Sequence, residues 1–237
     1  MADRFFCPDL STGSVTLEDA EAHHVIHVLR MSIGQTLELF DGCGTSATAV
    51  IANVGRRTVT VDVTERNACS RSERQTLTIA AAVPKGDRLK WMVEKLTELG
   101  VDRYVPLMTT RSVVDPKQAK LDRVQATVIS ACKQCRRNWL MEITEPMRVG
   151  DILQNTVENT TVFIAHPTHD PADGSDLPGL SAMGPRLSLI GPEGGFTGDE
   201  VELAVAAGAR RLAWPGHILR IETAAIMAAV TLGGCRL

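Results

Sequence analysis

The first part of the chain alternates apolar and polar residues in short runs, a pattern that places alternate side chains on opposite faces of a strand. Gly55 separates two of these runs, as the turn of a hairpin would. The predicted strands are residues 36–40, 48–54 and 58–64. Residues 16–31 predict a helix instead, which Thr16 would start. Residues 1–68 are therefore predicted to form a small β-rich domain, followed by a polar linker at 67–75.

From residue 76 onward, apolar strands alternate with helical patterns, which is typical of an α/β domain with a mainly parallel sheet. The predicted strands are residues 77–83, 102–107, 161–165, 187–190 and 210–214. The predicted helices are residues 87–99, 117–137, 197–207 and 221–232. Thr197 and Glu200 have the spacing of a capping box, and residues 166–185, rich in Pro, Gly, Ser and Asp, predict an irregular loop. The second predicted domain spans residues 76–237.

Two loops rich in glycine and proline follow strands near the end of the chain, at residues 191–195 and 215–217. Ligands of α/β proteins bind outside the carboxyl ends of the strands, and glycine lets the backbone approach a ligand closely. We therefore expect the two loops to face one cavity. The earlier strands are followed by neither a G-x-G-x-x-G nor a Walker A pattern, which disfavours a dinucleotide or P-loop site.

Composition is compatible with a soluble, cytoplasmic protein of one or two domains. The 237 residues are 44% hydrophobic and 22% charged, and no apolar run approaches the ~20 residues that cross a bilayer. The six cysteines are scattered, which indicates reduced thiols. The net charge of −3 argues mildly against nucleic acid. Basic residues nevertheless cluster at 71–90 and 133–137, so a basic stripe is compatible with this charge.

Two spacings suggest metal binding but lack a complete ligand set. His23 and His27 are four residues apart on a predicted helix, without a third ligand nearby in the sequence. Cys132 and Cys135 form a single pair within an apolar helical pattern. We therefore predict packing roles for the cysteines, packing or RNA contact for the histidines, and no metal site.

Blocks of residues spread over most of the chain resemble, in their order, the sequence pattern of one family. The blocks are His23-His24, Val28-Leu29-Arg30-Met31, Lys85-Gly86-Asp87-Arg88, Glu98-Leu99-Gly100-Val101, Ala131-Cys132, Ile190-Gly191-Pro192-Glu193-Gly194-Gly195 and Ile218-Leu219-Arg220-Ile221-Glu222-Thr223-Ala224. Together they resemble the small-subunit ribosomal RNA uridine-N3 methyltransferases (RsmE type) of the SPOUT class. The resemblance implies methylation of N3 of a uridine in 16S ribosomal RNA, with S-adenosylmethionine as the cofactor. It also implies a C-terminal SPOUT domain with a trefoil knot, an N-terminal PUA-like or OB-like RNA-binding barrel, and a homodimer.

The resemblance also assigns candidate site residues. The expected cofactor-binding residues are His166, Ile190, Gly191, Gly195, Ile218, Leu219 and Thr223. The expected RNA-binding residues are Arg4, Arg30, Lys85, Arg88 and Arg136. Catalysis is assigned to Arg220, which would stabilise a uracil anion, and to Glu222 as proton acceptor with Glu193 behind it. An equally weighted alternative for Glu222 is a structural ion pair with Arg220.

Two departures from the family pattern affect the expected substrate contacts. His217 stands where the family usually has arginine, and Lys133 stands where it often has glutamate. Two alternative functions also remain open at the level of sequence. One is a SPOUT enzyme with another RNA target, and the other is an RNA-binding ribosome-assembly factor without catalysis.

Overall fold

The chain folds into two compact units. The computed structural model describes residues 3–70, 76–116, 121–166, 184–214 and 217–233. Unit 1 comprises Met1–Arg71 and Ile129–Leu140, and unit 2 comprises Ser72–Val128 and Met141–Leu237. The segment Ile129–Leu140, which the sequence places in the second domain, groups with the first unit. No helix in the described ranges has the length and apolar character needed to cross a bilayer.

Unit 1 is built on a five-stranded sheet of order β1-β3-β4-β5-β2. Its strands are β1 Arg4–Phe6, β2 Ser14–Leu17, β3 Thr36–Phe40, β4 Thr45–Val54 and β5 Val59–Ala68. Pairing is antiparallel except between β1 and β3. The predicted hairpin around Gly55 is confirmed: β4 pairs with β5, and the Gly55 amide donates to the Thr58 carbonyl at 2.9 Å.

The helix predicted at residues 16–31 is shorter than expected. The structure has α1 at Asp19–His23, continued by a π-helical turn at His24–Val28. Thr16 belongs to β2, where it pairs with Thr60 of β5. Its neighbours Val15 and Leu17 are buried in the sheet core, so strand pairing outweighs the helix-start signal that Thr16 carries.

Unit 2 contains a sheet whose strand pairs are all parallel, as the alternation of strands and helices predicts. Its main order is β12-β10-β11-β6-β7-β8, with β9 also paired to β7. The strands are β6 Leu77–Ala82, β7 Arg103–Met108, β8 Glu142–Ile143, β9 Met147–Arg148, β10 Thr161–Ala165, β11 Arg186–Ile190 and β12 Arg210–Leu212. Parallel pairing brings every carboxyl end to one side of the sheet, called here the carboxyl edge.

Helices cover both faces of this sheet. They are α2 Arg88–Glu98, α4 Val149–Gln154, α5 Gly198–Ala206 and α6 Ile221–Gly233. A further helix, α3 Leu121–Cys135, begins in unit 2 and ends in unit 1. One face packs Val105, Leu187 and Leu189 with apolar residues of α4 and α5. Helix α6 packs against α2, β6 and β11 through buried alanines, whose small side chains allow a close approach to the sheet.

The structure adds short elements that the sequence pattern does not predict, namely β1, β2, β8, β9 and α4. The irregular loop predicted at 166–185 falls largely on residues 167–183, outside the described residues. Residues 215–216 of the second predicted loop also lie outside the described residues. The trefoil knot is implied by the resemblance and stays a prediction.

Candidate functional site

The carboxyl edge of the unit 2 sheet gathers the segments in which the sequence places the cofactor. Strand β11 lies between β10 and β6, and β12 flanks β10. His166 follows β10 and Gly191 follows β11, so these two residues leave adjacent strands at the same edge. The segment after β12 leads to the start of α6, where Ile221 and Glu222 lie.

The glycine loop after β11, residues 191–196, uses two of its glycines for different physical reasons. Gly195 has a left-handed backbone (φ +69°), and no heavy atom lies within 4 Å of the position that a Cβ would take. A Cβ on Gly191 would instead lie 3.1 Å from two ring carbons of Phe196. Gly191 therefore makes room for the buried Phe196 ring, whereas Gly195 leaves open space beside its backbone.

Arg111, which no sequence pattern indicates, holds this glycine loop in place. Its Nη1 donates to the Gly194 carbonyl at 2.8 Å and to the Phe196 carbonyl at 3.3 Å. Arg111 follows β7, more than eighty residues earlier in the chain. A single arginine in an irregular segment gives no sequence signal for such a contact.

The helix after the glycine loop starts with the predicted capping box. The Glu200 amide donates to the Thr197 hydroxyl at 3.3 Å, and the Thr197 amide donates to Glu200 Oε2 at 2.8 Å. Thr110, beside Arg111, donates its amide to Glu200 Oε1 at 2.8 Å. Partial burial would raise the pKa of Glu200, but the hydrogen bonds from Thr197 and Thr110 outweigh it and lower that pKa.

His166 presents an unpartnered polar atom at the carboxyl edge. Its backbone amide donates to the Leu212 carbonyl at 3.2 Å. The side-chain Nδ1 is buried and has no hydrogen-bond partner among the residues that the structure describes. Burial lowers the pKa of His166 below 6.5, and the charge of Arg211 lowers it further. The imidazole is therefore neutral at pH 7 and has a ring nitrogen available for a ligand.

Because the pKa of His166 is lowered, we expect the affinity for S-adenosylmethionine to fall only in the acidic range, below the ordinary pKa of histidine. Protonated His166 would place a positive charge at a site that also faces Arg211 and has to receive a cationic sulfonium. Calorimetric titration across this pH range should show constant affinity in the neutral and alkaline range and weaker binding in the acidic range. In His166→Asn the acidic decline should disappear; a decline that persists in this variant would assign the titration to another group.

The residues expected at the second loop are largely exposed. Ile218 is 86% exposed, Leu219 is half-buried, and Arg220 and Thr223 are exposed. The Arg220 carbonyl accepts a hydrogen bond from the Ala224 amide at 2.8 Å, which places Arg220 at the start of α6. The Arg220 guanidinium forms no ion pair within the described part of the chain, so its charge is available to a ligand.

Glu222 lies inside the protein and not on the loop. It is 5% exposed, and its Oε1 is 3.5 Å from Nη1 of Arg88, at the start of α2. Its Oε2 is buried without a hydrogen-bond partner in the described residues. The ion pair suggested by the sequence, between Glu222 and Arg220, is therefore corrected: Glu222 pairs with Arg88, because α6 packs against α2.

The residues expected to bind RNA differ in accessibility. Arg30 and Lys85 are exposed. Arg4 is buried within unit 1, where its guanidinium lies 4.3 Å from the Phe40 ring centroid and bonds to the Cys132 carbonyl and to Asn138. An arginine that is engaged in this way is poorly placed to reach a phosphate, which argues against RNA contact by Arg4.

The end of α3 and the residues after it belong to unit 1 and form ion pairs with other residues of that unit. Arg136 pairs with Glu38 of β3. Lys133, one of the departures from the family pattern, bonds to both carboxylate oxygens of Glu21, at 3.0 and 2.8 Å. Its ammonium also lies 5.1 Å from the Phe5 ring centroid. Lys133 therefore has a structural role in unit 1.

The residues considered for metal binding do not form a complete metal site. The His23 and His27 rings are 4.9 Å apart. Within the described ranges, no group of three or more His, Cys, Asp or Glu could hold a metal ion. Burial raises the pKa of Cys132 to about 11, which makes this thiol unreactive at neutral pH.

A cavity of about 140 Å³ lies at the opposite, amino-terminal edge of the unit 2 sheet. Thr76, Arg103 and Arg186, which lie at or just before the starts of β6, β7 and β11, line it together with residues that follow α4. Ligands of parallel sheets bind at the other edge, so this cavity is a poor candidate for the cofactor.

Comparison with known proteins shows which family the chain belongs to. A family model described as an RNA methyltransferase domain matches residues 71–233, and one described as an RNA methyltransferase PUA domain matches residues 17–64. Ribosomal RNA small subunit methyltransferase E of Synechocystis sp. is 31% identical over 220 residues, covering 91% of this chain and 71% of that protein. The chain belongs to this RNA methyltransferase family. The family assignment also confirms the predicted fold class, an α/β methyltransferase domain with an N-terminal PUA-like domain.

Two solved members of the family were determined with the cofactor bound. A methyltransferase of Legionella pneumophila in complex with S-adenosylmethionine is 32% identical, with a TM-score of 0.83 over 98% of this chain and 97% of that one. Ribosomal RNA small subunit methyltransferase E of Neisseria gonorrhoeae, bound to S-adenosylmethionine, is 26% identical, with a TM-score of 0.85 over the same shares. The open backbone at Gly195 and the free Nδ1 of His166 fit a nucleoside cofactor of this kind.

Proposed function

We propose that the protein is an S-adenosylmethionine-dependent methyltransferase that modifies N3 of one uridine in the 16S RNA of the small ribosomal subunit. One observation carries the proposal: a family member has an open glycine backbone after β11 and, after the neighbouring strand β10, a buried histidine nitrogen without a partner among the described residues. Family membership supports the general activity and the cofactor. The atom modified and the subunit context are the finer parts of the proposal.

The cofactor would be held by backbone and side-chain groups from three loops. The residues proposed to line its site are His166, Ile190, Gly191, Gly195, Ile218, Leu219 and Thr223. When bound, S-adenosylmethionine supplies a methyl group on a sulfonium, which leaves as a neutral thioether. Arg111 contributes indirectly, because its two hydrogen bonds keep the glycine loop in one conformation before the cofactor arrives.

Activation of the base is the harder chemical step, because N3 of neutral uracil carries a proton. A cation next to the base favours the anion that forms when this proton leaves. Arg220 is proposed for that role because its exposed guanidinium is not engaged by another described residue. Glu222 is buried and its Oε1 faces Arg88, so it is poorly placed to reach the base. Glu193, the exposed carboxylate of the glycine loop, is the better placed candidate.

RNA binding would use exposed cations of both units. Arg30 in unit 1 and Lys85 in unit 2 are proposed to contact phosphates, and Arg88 and Arg136 are also proposed to contact the RNA. Enzymes that act on a base usually take it out of the stack, so we expect the target uridine to be unpaired in the complex. A cytoplasmic location is part of the proposal, and the free thiols of Cys7 and Cys132 are compatible with it.

A homodimer is proposed because α6 has an exposed, largely apolar face that a second copy of the chain could cover. Thr223, Met227 and Val230 are exposed at intervals of four and three residues, which places them on one face of the helix. Met227 is 37% exposed and Val230 is 57% exposed, so this face is largely apolar. We expect Val230→Glu to convert a dimer into a monomer in sedimentation experiments, because a charge would be buried in the interface. A parent protein that sediments as a monomer would contradict this part of the proposal.

The experiment that tests the function is nucleoside mass spectrometry of 16S RNA from a strain that lacks the gene. We expect 3-methyluridine to disappear and to return when the gene is restored. If 3-methyluridine persists and a transfer RNA or another nucleoside changes instead, the enzyme belongs to the alternative with a different target. If no nucleoside changes and calorimetry detects no cofactor binding, the chain is an assembly factor without catalysis.

A further inference from the structure

The contact between Arg88 and Glu222 links two residues at the carboxyl edge that are predicted to have separate roles, RNA binding and catalysis. Arg88 is the first residue of α2, which follows β6, and Glu222 lies in the first turn of α6. Strand β6 is the neighbour of β11, which carries the glycine loop. The pair therefore lies at the same edge of the sheet as the proposed cofactor site.

The two side chains are exposed to very different extents. The Glu222 side chain is 7% exposed, whereas that of Arg88 is 35% exposed. Arg88 donates its Nε to the Lys85 carbonyl at 3.2 Å and directs Nη1 toward Glu222. Within the described part of the chain no other group pairs with this guanidinium. One side of the planar group is thus fixed by the protein, and its remaining donors are open to a ligand.

Helix stability does not explain this placement of Arg88. A positive side chain at a helix N-terminus opposes the helix dipole, whereas a carboxylate in the first turn is favoured by it. Glu222 therefore occupies a favourable position for its charge and Arg88 an unfavourable one. A buried carboxylate also needs a compensating charge, and Arg88 is the cation that supplies it.

Charged groups on the surrounding elements do not provide an alternative partner. Strand β6 carries no titratable side chain, and β11 carries only Arg186, at the amino-terminal edge. The other charged residues of α2 are Lys90, Glu94, Lys95 and Glu98. Of these, Lys95 is paired with both Glu94 and Glu98.

We infer that Arg88 is a second substrate-facing cation, which contacts a carbonyl oxygen of the target uracil, and that Glu222 is the residue that positions it. The inference rests on the proposed function. The uracil anion formed when N3 loses its proton carries much of its charge on the two carbonyl oxygens that flank N3. A guanidinium held in advance near one of them stabilises that anion and leaves the N3 lone pair free to attack the methyl group. The proton passes to Glu193 or to water.

The test is steady-state kinetics on small ribosomal subunits from the deletion strain, with variants of the full-length enzyme and a pH series. We expect Arg88→Gln to lower kcat about 100-fold, to leave the KM for the subunit and the cofactor affinity near the parent values, and to regain rate as the pH rises. Arg88→Lys should recover part of the rate because it keeps the charge. The matched control is Lys90→Gln, an exposed cation two residues later on α2, which should leave kcat unchanged.

The second arm is a double-mutant cycle. Glu222→Gln should lower kcat by a similar factor with the same pH response, and the double variant should be no slower than either single variant, because the two residues act as one unit. If Arg88→Gln raises KM with an unchanged kcat, Arg88 holds an RNA phosphate and the inference is overturned. The inference is also overturned if the loss of kcat in the double variant equals the product of the losses in the two single variants. If Glu222→Gln does not fold, the kinetics of Arg88→Gln and Arg88→Lys decide alone.

These outcomes are distinct from a failure of the proposed function. A parent enzyme that forms no 3-methyluridine refutes the function. A parent enzyme that forms it while Arg88→Gln keeps the parent kcat refutes only the role of Arg88.

Discussion

Arg220→Gln is expected to lower kcat about 100-fold while leaving S-adenosylmethionine binding intact. Removal of one donor that stabilises a developing negative charge typically costs this much in rate. Arg220 is exposed at the start of α6 and forms no ion pair within the described residues, so its loss should not disturb the fold. The measurement is single-turnover methylation of small ribosomal subunits, with cofactor affinity determined in parallel by calorimetry.

The control for this variant is Arg210→Gln. Arg210 is also exposed and begins β12, at the amino-terminal edge of the sheet, away from the proposed site. Both variants remove one positive charge, so a general electrostatic effect on RNA association would appear in both. An unchanged kcat in Arg220→Gln, or an equal loss in Arg210→Gln, would remove Arg220 from the catalytic step.

Gly195→Ala is expected to weaken S-adenosylmethionine binding by at least about tenfold, equivalent to about 1.4 kcal/mol. A methyl group would enter the open space beside the Gly195 backbone, which is where the cofactor is proposed to approach. Alanine also disfavours the left-handed backbone at φ +69° by about 1–2 kcal/mol. Part of any loss could therefore come from strain in the loop, so strain has to be measured separately.

Gly208→Ala separates backbone strain from direct obstruction of the cofactor by the new methyl group. Gly208 has a similar backbone (φ +87°) and likewise has no heavy atom within 4 Å of its would-be Cβ, but it lies at the end of α5, just before β12. Both substitutions should lower the thermal stability to a similar extent. Only Gly195→Ala should lower the cofactor affinity below that of the parent. Equal affinities in the two variants would place the cofactor elsewhere.

The sequence predicts the elements whose stability is decided locally. The capping box at Thr197 and Glu200 is satisfied within one helical turn, and the hairpin at Gly55 joins strands that are neighbours in the chain. Both predictions are confirmed. The long apolar strands β6, β10 and β11 are also found where their composition predicts them, because a strand buried on both faces needs a continuous apolar run.

The elements that the sequence does not predict correctly have a common cause. They depend on contacts with residues that are distant in the chain, which a local pattern does not indicate. Thr16 looks like a helix start, yet it belongs to β2, which pairs with a strand more than forty residues away. Strands β8 and β9 have only two residues each and exist through their pairing with β7. The grouping of Ile129–Leu140 with unit 1 likewise depends on contacts with residues near the N-terminus, such as that between Lys133 and Glu21.

Prediction of the site is limited in the same way: local features are found from the sequence, and contacts between distant segments are not. Sequence pattern and resemblance point to the glycine loop, and the structure brings it to the carboxyl edge beside His166. They do not point to Arg111, whose contacts with Gly194 and Phe196 join distant segments. They also pair Glu222 with the wrong arginine, because Arg220 is near in sequence whereas Arg88 is near in space.

The most direct test of the account is a crystal structure of the protein with S-adenosylmethionine. We predict that the adenosine lies at the carboxyl edge, against the backbone of Gly191 and Gly195 and the segment 218–223, with His166 Nδ1 in contact with the ligand. Cofactor density in the cavity lined by Thr76, Arg103 and Arg186, at the opposite edge of the sheet, would contradict the account.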